Sequence, residues 1–561
     1  MNNSLLRKHT FLEQILDSGA AFYEGNNGIV LAISLCLLAV VGVSLFLWAT
    51  APHGIGIRTD SVAYLWSAKD LAQGIGLGTV DAFGKLRPLN QFPPFYPILL
   101  AAFELLGISG LDAARWIGAL FVVLQILISG LILARLTNRA FWLTIIGVLV
   151  LFYFPAVWET NLYAMTEPLF IVFSLTGLLC LDQYYLNKNS GWLWLASVLF
   201  GLSFLTRYIG IAVIVAGALF ILDQKKISSK RKDLDLLIMA SISVLPMIAW
   251  LIRNTLLTGS ATDRGLNFVP ITPTEWILTF QSIMTWITPV RAAIKPSLPS
   301  LVIFLIAIVV SFLILRRKEG ISEKPKTQLP LLIFICAVAY ILLTIAARLW
   351  ADPTIPLNED RILYPFLGPL FFLALYGIYR LIGTVRARSI VLAAFLSGIC
   401  MVVAWGFIRS NSSITFPYIS PALHSHVDGL GLQYRTFLGD KFEKTVAGLP
   451  EGDIFFTDNN EELYFFTERV SSYIGDLTPS SIKLLQEQFS KQEVVVIFFD
   501  LSPKAQQILL RQDPQLKLIY RDYLGRFIYL ATFTVADCGN LVNPCVNNYK
   551  RELDLIGSLY F

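Results

Sequence analysis

Long apolar runs separated by short polar segments fill the chain from about residue 29 to residue 407. A helix needs roughly 20 apolar residues to cross the hydrocarbon core of a bilayer. We therefore predict a polytopic α-helical membrane protein. The pattern predicts about eleven spans, which are 29–50, 113–136, 141–157, 166–185, 193–206, 209–222, 234–252, 298–315, 329–346, 364–379 and 390–407.

Basic residues set the expected orientation of these spans. They cluster before the first span and after the second, fourth, sixth, eighth and tenth, as at 225–232 and 316–326. Positively charged loops favour the cytoplasmic side. We therefore predict a cytoplasmic segment 1–28, a retained first span, a transmembrane domain 29–407, and long outer loops that include 51–112. Short inner loops favour the inner (plasma) membrane of a bacterium.

The C-terminal part, 408–561, has a different pattern. Four short runs rich in β-branched and aromatic residues predict strands at 454–456, 494–499, 518–520 and 527–532. Two stretches between them, 480–489 and 503–511, predict helices. This alternation predicts an extracytoplasmic α/β domain. Cys538 and Cys545 lie in this part, and the sequence leaves open whether they form a disulfide.

Composition supports the membrane assignment. The 561 residues are 55% hydrophobic and 15% charged, whereas soluble proteins carry about 25% charged residues. The excess apolar surface needs the lipid bilayer as its partner. The net charge of +5 is modest, and no basic stripe interleaved with aromatic residues lies outside the membrane loops, so we expect no nucleic-acid partner.

One apolar stretch, 193–222, is interrupted at Thr206-Arg207-Tyr208 and at Gly210. Two short arms keep the basic loop after residue 223 inside, whereas one long helix would place it outside. Arg207 is then predicted at the outer end of both arms, below the membrane surface. An arginine at this depth indicates a functional site. The alternative is an arginine that extends to the lipid headgroups.

Two carboxylates are predicted at the outer ends of spans. Asp60 follows the first span, and Glu167 opens the fourth with Pro168 behind it. Asp60 could act as a general base or hold a divalent metal ion, and the sequence leaves both open. The structural alternative is that each carboxylate caps the helix that follows it.

Several arginines lie on the outer side, against the positive-inside trend: Arg58, Arg207, Arg253, Arg264 and Arg361. Cations in such places favour an anionic ligand, such as the phosphate of a lipid. The alternative for Arg361 is pairing with Glu359, Asp360 or anionic lipid.

An ordered set of motifs resembles the GT-C-fold glycosyltransferases that use polyprenyl-phosphate sugars, and within them the protein O-mannosyltransferases and the aminoarabinose transferase of lipid A. Asp60 follows the first span, with Tyr64 behind it. The other motifs lie at residues 74–76, 93–97, 114–115, 165–169, 201–208 and 360–365. The likeness covers about 58–379, most of the membrane part.

The resemblance implies roles for particular residues. Asp60 matches the catalytic aspartate of the first outer loop, and Glu167 matches a second carboxylate. Many members have an acid after the aspartate, where this chain has Ser61, which leaves the metal site unknown. From the outer-side arginines and the resemblance together, we predict that the substrate is bound by seven side chains: Arg58, Tyr64, Arg207, Tyr208, Arg264, Arg361 and Tyr364.

The leading hypothesis is thus a glycosyltransferase that moves a sugar from a polyprenyl-phosphate donor to a lipid, polysaccharide or protein acceptor. This reaction requires no organic cofactor. In some versions of the chemistry it uses a divalent metal ion. A transporter or lipid flippase is the main rival, but the two halves show no repeat. A non-catalytic anchor for the C-terminal domain would need only one span.

Overall fold

A computed structural model describes residues 26–80, 86–224, 228–287, 327–351, 355–388, 420–428, 430, 448, 454–457, 472–473, 493–498, 516–521 and 527–532. By its internal contacts the chain divides into two units. The first unit is Met1–Gly56 with Asn90–Leu430, and the second is Ile57–Leu89 with Gly431–Phe561.

The elements are numbered here in chain order. The helices are α1 (Asn26–Ala49), α2 (Thr59–Ala72), α3 (Phe95–Glu104), α4 (Gly110–Leu136), α5 (Phe141–Tyr153), α6 (Pro155–Asn161), α7 (Glu167–Asn187), α8 (Ser190–Thr206), α9 (Ile211–Asp223), α10 (Ser229–Thr258), α11 (Pro273–Ile287), α12 (Leu329–Trp350), α13 (Asp360–Arg388) and α14 (Ser420–Asp428). The strands are β1 (Gly78–Val80), β2 (Leu86–Pro88), β3 (Ile454–Thr457), β4 (Ser472–Tyr473), β5 (Glu493–Phe498), β6 (Leu516–Arg521) and β7 (Phe527–Thr532).

The first unit is a bundle of apolar helices. Within the described residues, six helices are long and apolar enough to cross a membrane: α1, α4, α7, α10, α12 and the Arg361–Arg380 part of α13. The predicted multi-pass membrane protein is therefore confirmed. The predicted spans 298–315 and 390–407 lie outside the described residues, so the count of eleven stays a prediction.

Burial separates inner from outer helices in this bundle. In α7, 78% of the most apolar window is buried, whereas in α1 and α10 only 28% is. Leu37 on α1 and Leu245 on α10 are exposed, which suits side chains in contact with lipid. The central position of α7 places Glu167, its first residue, inside the unit.

A buried polar cluster holds the other end of α7. Asp182 is fully buried. It accepts hydrogen bonds from Thr327 Oγ1 at 2.7 Å and from the Gln328 N–H at 2.9 Å, and it pairs with Arg135 Nη1 at 3.3 Å. A buried charge needs such partners to offset its lost hydration. The cluster therefore joins the ends of α4 and α7 to the start of α12.

Helix α11 is amphipathic. Two links hold α11 and the segment before it against the end of α12: the Asn267 N–H donates to the Trp350 carbonyl, and Arg348 pairs with Glu275 of α11 at 2.5 Å. A hydrogen bond from the Thr272 N–H, and then Arg348, lower the pKa of the Glu275 carboxyl. Glu275 is part-exposed, so solvent screens the pair.

The lowered pKa of Glu275 predicts a pH-dependent stability. The pair stabilises the fold at pH values above the ordinary carboxyl pKa of 4.5, and this stabilisation is lost as the pH falls through the lower pKa of the folded state. At neutral pH, wild type should have a higher melting temperature than Glu275→Gln. This difference should shrink below about pH 4. A difference in melting temperature that does not change with pH would contradict this assignment.

The second unit contains α2, a hairpin and a sheet. β1 pairs with β2 antiparallel, with Gly78 opposite Pro88. The five-stranded sheet has the order β4-β3-β5-β7-β6, in which β3 is parallel to β4 and β5 while β7 is antiparallel to β5 and β6.

All four runs predicted as strands in the C-terminal part are strands in the sheet. The helices predicted between them, and Cys538 and Cys545, lie outside the described residues. The α/β assignment of this part therefore stays a prediction.

Candidate functional site

The predicted break at Arg207 is present. Helix α8 ends at Thr206, Arg207 has extended backbone angles, and a short 3₁₀ turn, Tyr208–Gly210, leads into α9. Gly210 fits because a Cβ atom there would lie 2.5 Å from the Phe204 Cα. The close approach of these backbones makes the turn tight. Arg207 therefore lies in the chain between two apolar helices.

Two residues of the predicted site, Arg207 at the helix break and Glu167 at the start of α7, form an ion pair. Arg207 Nη1 lies 2.6 Å from Glu167 Oε1 and donates to Thr166 Oγ1 at 3.0 Å. The Glu167 side chain is fully buried, whereas that of Arg207 is 19% exposed. The cation therefore compensates a carboxylate that is shielded from solvent.

The second oxygen of Glu167 is left without such compensation. Among the described residues, Oε2 is buried and has no hydrogen-bond partner. A buried carboxylate oxygen in this state favours a hydroxyl donor, from water or from a substrate. Tyr96 and Tyr340 lie close enough to interact electrostatically with this carboxylate.

A second group forms around Tyr208. Its hydroxyl donates to the Asn90 carbonyl at 3.0 Å and accepts from Trp250 Nε1 at 3.4 Å. Arg264 lies close enough to Tyr208 to interact with it electrostatically. The structure thus brings two predicted residues, Tyr208 and Arg264, together with Asn90 and Trp250, which sequence reasoning missed. An isolated asparagine or tryptophan carries no pattern that could have marked them.

Arg361 and Tyr364 lie at the start of α13 with different partners. Arg361 Nε pairs with Glu359 Oε2 at 2.5 Å, which is one of the alternatives that the sequence left open. The hydroxyl of Tyr364 donates to Gln125 Oε1 at 2.7 Å, and the Gln125 amide donates to Asn161 Oδ1 at 2.8 Å. Tyr364 is therefore part of a buried amide network that joins α13 to α4 and α6.

Replacing Tyr364 with phenylalanine removes one hydrogen bond from this network. The amide pair of Gln125 and Asn161 remains, so we expect a loss of only about 0.5–1.5 kcal/mol in the free energy of unfolding. Thermal unfolding in detergent measures this loss. Gln125→Leu, which leaves the Asn161 amide without its partner, should cost more, and an equal or smaller cost would contradict the network.

A pocket lies in the same bundle, and its empty space, counted together with the open space at its mouth, is about 610 Å³. Helices α4, α5, α7, α9, α12 and α13 line it, mostly with apolar side chains. Its few polar groups include Gln125, Tyr340 and Tyr364. Tyr340, one of the lining residues, also interacts electrostatically with Arg207 and Glu167.

Asp60, Arg58 and Tyr64 belong to the second unit. The helix N-cap of α2 is Arg58, whose N–H donates to Ser61 Oγ at 3.1 Å, and Asp60 is in the first turn. The structural alternative, that Asp60 caps this helix, does not hold, because the N-cap lies two residues earlier. A carboxylate in the first turn still suits the helix dipole. Tyr64 is buried.

Helix α7 starts as predicted, with Glu167 first and Pro168 second, and its N-cap is Thr166. Glu167 is therefore not the cap itself. Within the described ranges, no three side chains of histidine, cysteine, aspartate or glutamate come together as metal ligands.

These features define a class: a multi-pass membrane protein with a buried cation–carboxylate pair at a helix break. The comparisons add a family likeness. Residues 91–250 match the model of the dolichyl-phosphate-mannose-protein mannosyltransferases. This stretch contains Glu167 and Arg207 but not Asp60. No curated protein matches the sequence as a relative.

Solved structures match the fold over most of the chain. ArnT from Cupriavidus metallidurans bound to undecaprenyl phosphate matches with a TM-score of 0.52 and 16% identity, over 92% of this chain and 100% of that one. AglB from Archaeoglobus fulgidus, in complex with an inhibitory peptide and a dolichol-phosphate, has a TM-score of 0.52 and 11% identity, over 94% and 77%. The mycobacterial arabinofuranosyltransferase AftD has a TM-score of 0.51 and 16% identity, over 90% and 40%.

At identities this low, the structural matches establish the fold alone. The chain has the GT-C fold, and the predicted resemblance to glycosyltransferases that use polyprenyl-phosphate sugars is confirmed. Family likeness and fold together support a membrane glycosyltransferase.

Proposed function

We propose that this protein transfers a sugar from a polyprenyl-phosphate donor to an acceptor hydroxyl on the extracytoplasmic side of the membrane. The observation that carries the proposal is the buried pair of Glu167 and Arg207. It lies at a break between two apolar helices, within the stretch that matches the mannosyltransferase family. The acceptor is a lipid, a polysaccharide or a protein.

The reaction is a direct displacement. The acceptor oxygen bonds to the anomeric carbon while the bond from that carbon to the phosphate oxygen breaks. The lipid phosphate leaves as an anion, and the acceptor proton goes to a carboxylate. Attack opposite the leaving group inverts the anomeric centre. No nucleotide takes part, because the sugar is already activated on its lipid.

We assign the proton transfer to Asp60, with Glu167 as the second catalytic carboxylate. General-base catalysis of this kind contributes about 10²–10⁴-fold to the rate. The orphaned oxygen of Glu167 supports a role in orienting a hydroxyl, since it lacks a donor among the described residues. Arg207 compensates the charge on the other oxygen.

The leaving phosphate needs cations that are in place before its charge develops. We assign this to Arg207, Arg264 and Arg361, with Arg58 as a further contact. Arg207 supports the assignment best, since it lies at the break between two apolar helices and its side chain is only 19% exposed. Tyr64, Tyr208 and Tyr364 are proposed substrate contacts.

The isoprenoid chain of the donor needs an apolar space beside the phosphate site. The pocket supports this, because its lining is mostly apolar and includes Tyr340, which interacts electrostatically with the ion pair. ArnT was solved with undecaprenyl phosphate and AglB with a dolichol-phosphate. We propose a lipid of the same chemical class for this chain.

The distribution of basic residues supports a membrane location and an orientation for the chain. Short basic segments support a cytoplasmic N-terminus, an inner-membrane location for 29–407, and an extracytoplasmic domain at 408–561. A divalent metal ion is compatible with the chemistry, although the arginines alone supply positive charge for the phosphate.

A comparison of donor classes tests the proposal. Purified protein in lipid vesicles is given a membrane extract and either radiolabelled polyprenyl-phosphate hexoses and pentoses or the matching nucleotide sugars. We expect label to move to a new product from a lipid-linked donor and not from a nucleotide sugar. Transfer from the nucleotide sugar alone would contradict the proposal, as would label that crosses the vesicle bilayer without changing its carrier.

A further inference from the structure

Gly56 joins two distant segments of the first unit. Its N–H donates to the Leu162 carbonyl at 2.8 Å, and its carbonyl accepts from the Ala164 N–H at 2.9 Å. These bonds form an isolated parallel bridge opposite Tyr163. Ala164 stands only three residues before Glu167, so the bridge restrains the base of the loop that ends at this carboxylate.

The junction has no room for a side chain at Gly56. A methyl group there would lie 2.8 Å from Tyr163 Cδ1, 2.9 Å from Leu430 Cβ and 3.0 Å from the Leu162 carbonyl oxygen. Two of these three neighbours are fixed by the backbone and cannot rotate away. The chain therefore uses glycine at position 56 for close packing.

The third neighbour, Leu430, follows helix α14, which is docked on the end of α1 by two histidines. The His426 ring stacks on Trp48 with centroids 4.1 Å apart, and its Nδ1 donates to the Trp48 carbonyl at 2.8 Å. His53 Nε2 donates to the Val427 carbonyl at 3.3 Å. Since a carbonyl can only accept, each ring nitrogen carries the proton in these bonds.

Apolar burial adds to this docking. Ala422, Ser425 and Leu430 are buried, although α14 has only nine residues. A helix this short is marginal alone, so its position depends on these contacts. We use the term clasp for α14 together with Leu430.

We propose that the clasp is a positioning element that sets the loop 162–166, and through it the carboxylate of Glu167 against Arg207. The catalytic meaning of this inference rests on the proposed function. Leu430 of the clasp packs close to Gly56. Gly56 in turn forms backbone hydrogen bonds with Leu162 and Ala164. Thr166, which accepts from Arg207, lies in the same loop.

The expected effects follow from this chain of contacts. Gly56→Ala pushes the loop away from its neighbours, and His426→Ala removes the ring stack and its hydrogen bond. A displacement of about 1 Å at a reacting group can lower the rate roughly 100-fold. Binding of a free lipid phosphate depends less on the carboxylate geometry. We expect kcat to fall about 10–100-fold, with less change in affinity for undecaprenyl phosphate.

The control is Gly147→Ala. A methyl group there would lie 2.8 Å from Leu133 Cδ1 and 2.8 Å from Leu375 Cδ1. Both atoms end flexible side chains that can shift, so this variant makes a milder steric change elsewhere in the bundle. Gly147 lies in α5, outside the loop and the clasp. This variant should keep the amide protection of the loop and the wild-type turnover of its folded fraction.

The experiment combines hydrogen exchange with kinetics on the full-length protein in lipid. Exchange at the Gly56 and Ala164 amides should be slow in wild type and in Gly147→Ala, and faster in His426→Ala. Ala164 should also exchange faster in Gly56→Ala. Transfer is then measured with the donor that wild type turns over, and undecaprenyl phosphate is the binding probe.

Each outcome decides the inference. Fast exchange in the clasp variants, with a drop in kcat and retained undecaprenyl phosphate affinity, supports it. Unchanged exchange at Ala164 in His426→Ala overturns it, as does an equal loss of kcat in Gly147→Ala. A wild type that transfers no sugar contradicts the proposed function instead, and the exchange data still decide whether the clasp holds the loop.

Discussion

Replacing Asp60 with asparagine is expected to lower the rate of sugar transfer by about 10²–10⁴-fold, the usual contribution of a positioned general base. Asparagine has almost the size of aspartate but cannot take up the acceptor proton. Asp60 lies in the first turn of α2, so the lost charge should cost only about 0.3–1 kcal/mol of stability through the helix dipole. Binding of undecaprenyl phosphate should persist.

Asp70→Asn is the matched control, since it makes the same substitution in the same helix. Asp70 is buried, and burial raises the pKa of its carboxyl. One of its oxygens is buried without a hydrogen-bond partner among the described residues. Neutralising it should therefore leave the fold and the transfer rate nearly unchanged. A large loss of transfer in both variants, or in neither, would contradict the role of Asp60.

Replacing Arg207 with methionine is expected to destabilise the protein by about 3–5 kcal/mol, because it leaves a fully buried carboxylate without its cation. Glu167 has no exposed side-chain surface to recover hydration. Affinity for undecaprenyl phosphate should fall at the same time, because a phosphate contact is lost. Thermal unfolding and lipid binding, measured on the same preparation, give both effects.

A double variant separates the two roles of Arg207. Adding Glu167→Gln removes the buried charge, so much of the lost stability should return while transfer does not. Arg135→Met is the control at the other end of α7, because Arg135 pairs with the buried Asp182 and is 20% exposed. It should lose stability but keep its lipid affinity. Full transfer by the double variant would contradict the assignment of Arg207 and Glu167.

Sequence periodicity predicted most of the described membrane helices because lipid-facing helices need long apolar runs. The break at Arg207 was also predictable, since Gly210 and three non-aliphatic residues interrupt one apolar stretch. By contrast, the hairpin of β1 and β2 was not predicted. Its strands are three residues long, too short to show an alternating pattern.

Pairing within the site was the part that the sequence could not specify. Glu167 and Arg207 are far apart in the chain, and their contact depends on how α7 packs against α8 and the turn that follows. The sequence placed them at the same membrane face, which is as far as charge patterns reach. Helix α14 was missed because its nine residues carry no strong apolar period, and its docking depends on Trp48, nearly 380 positions away.

The stoichiometry of the two products tests the central claim most directly. Purified wild-type protein in vesicles is given a polyprenyl-phosphate sugar that carries different labels on the sugar and on the lipid, together with acceptor. A transferase should release one polyprenyl phosphate for each sugar that reaches the acceptor, in equal amounts at every time point. Passage of the intact lipid-linked sugar across the bilayer, with no free polyprenyl phosphate, would contradict this account and indicate a flippase.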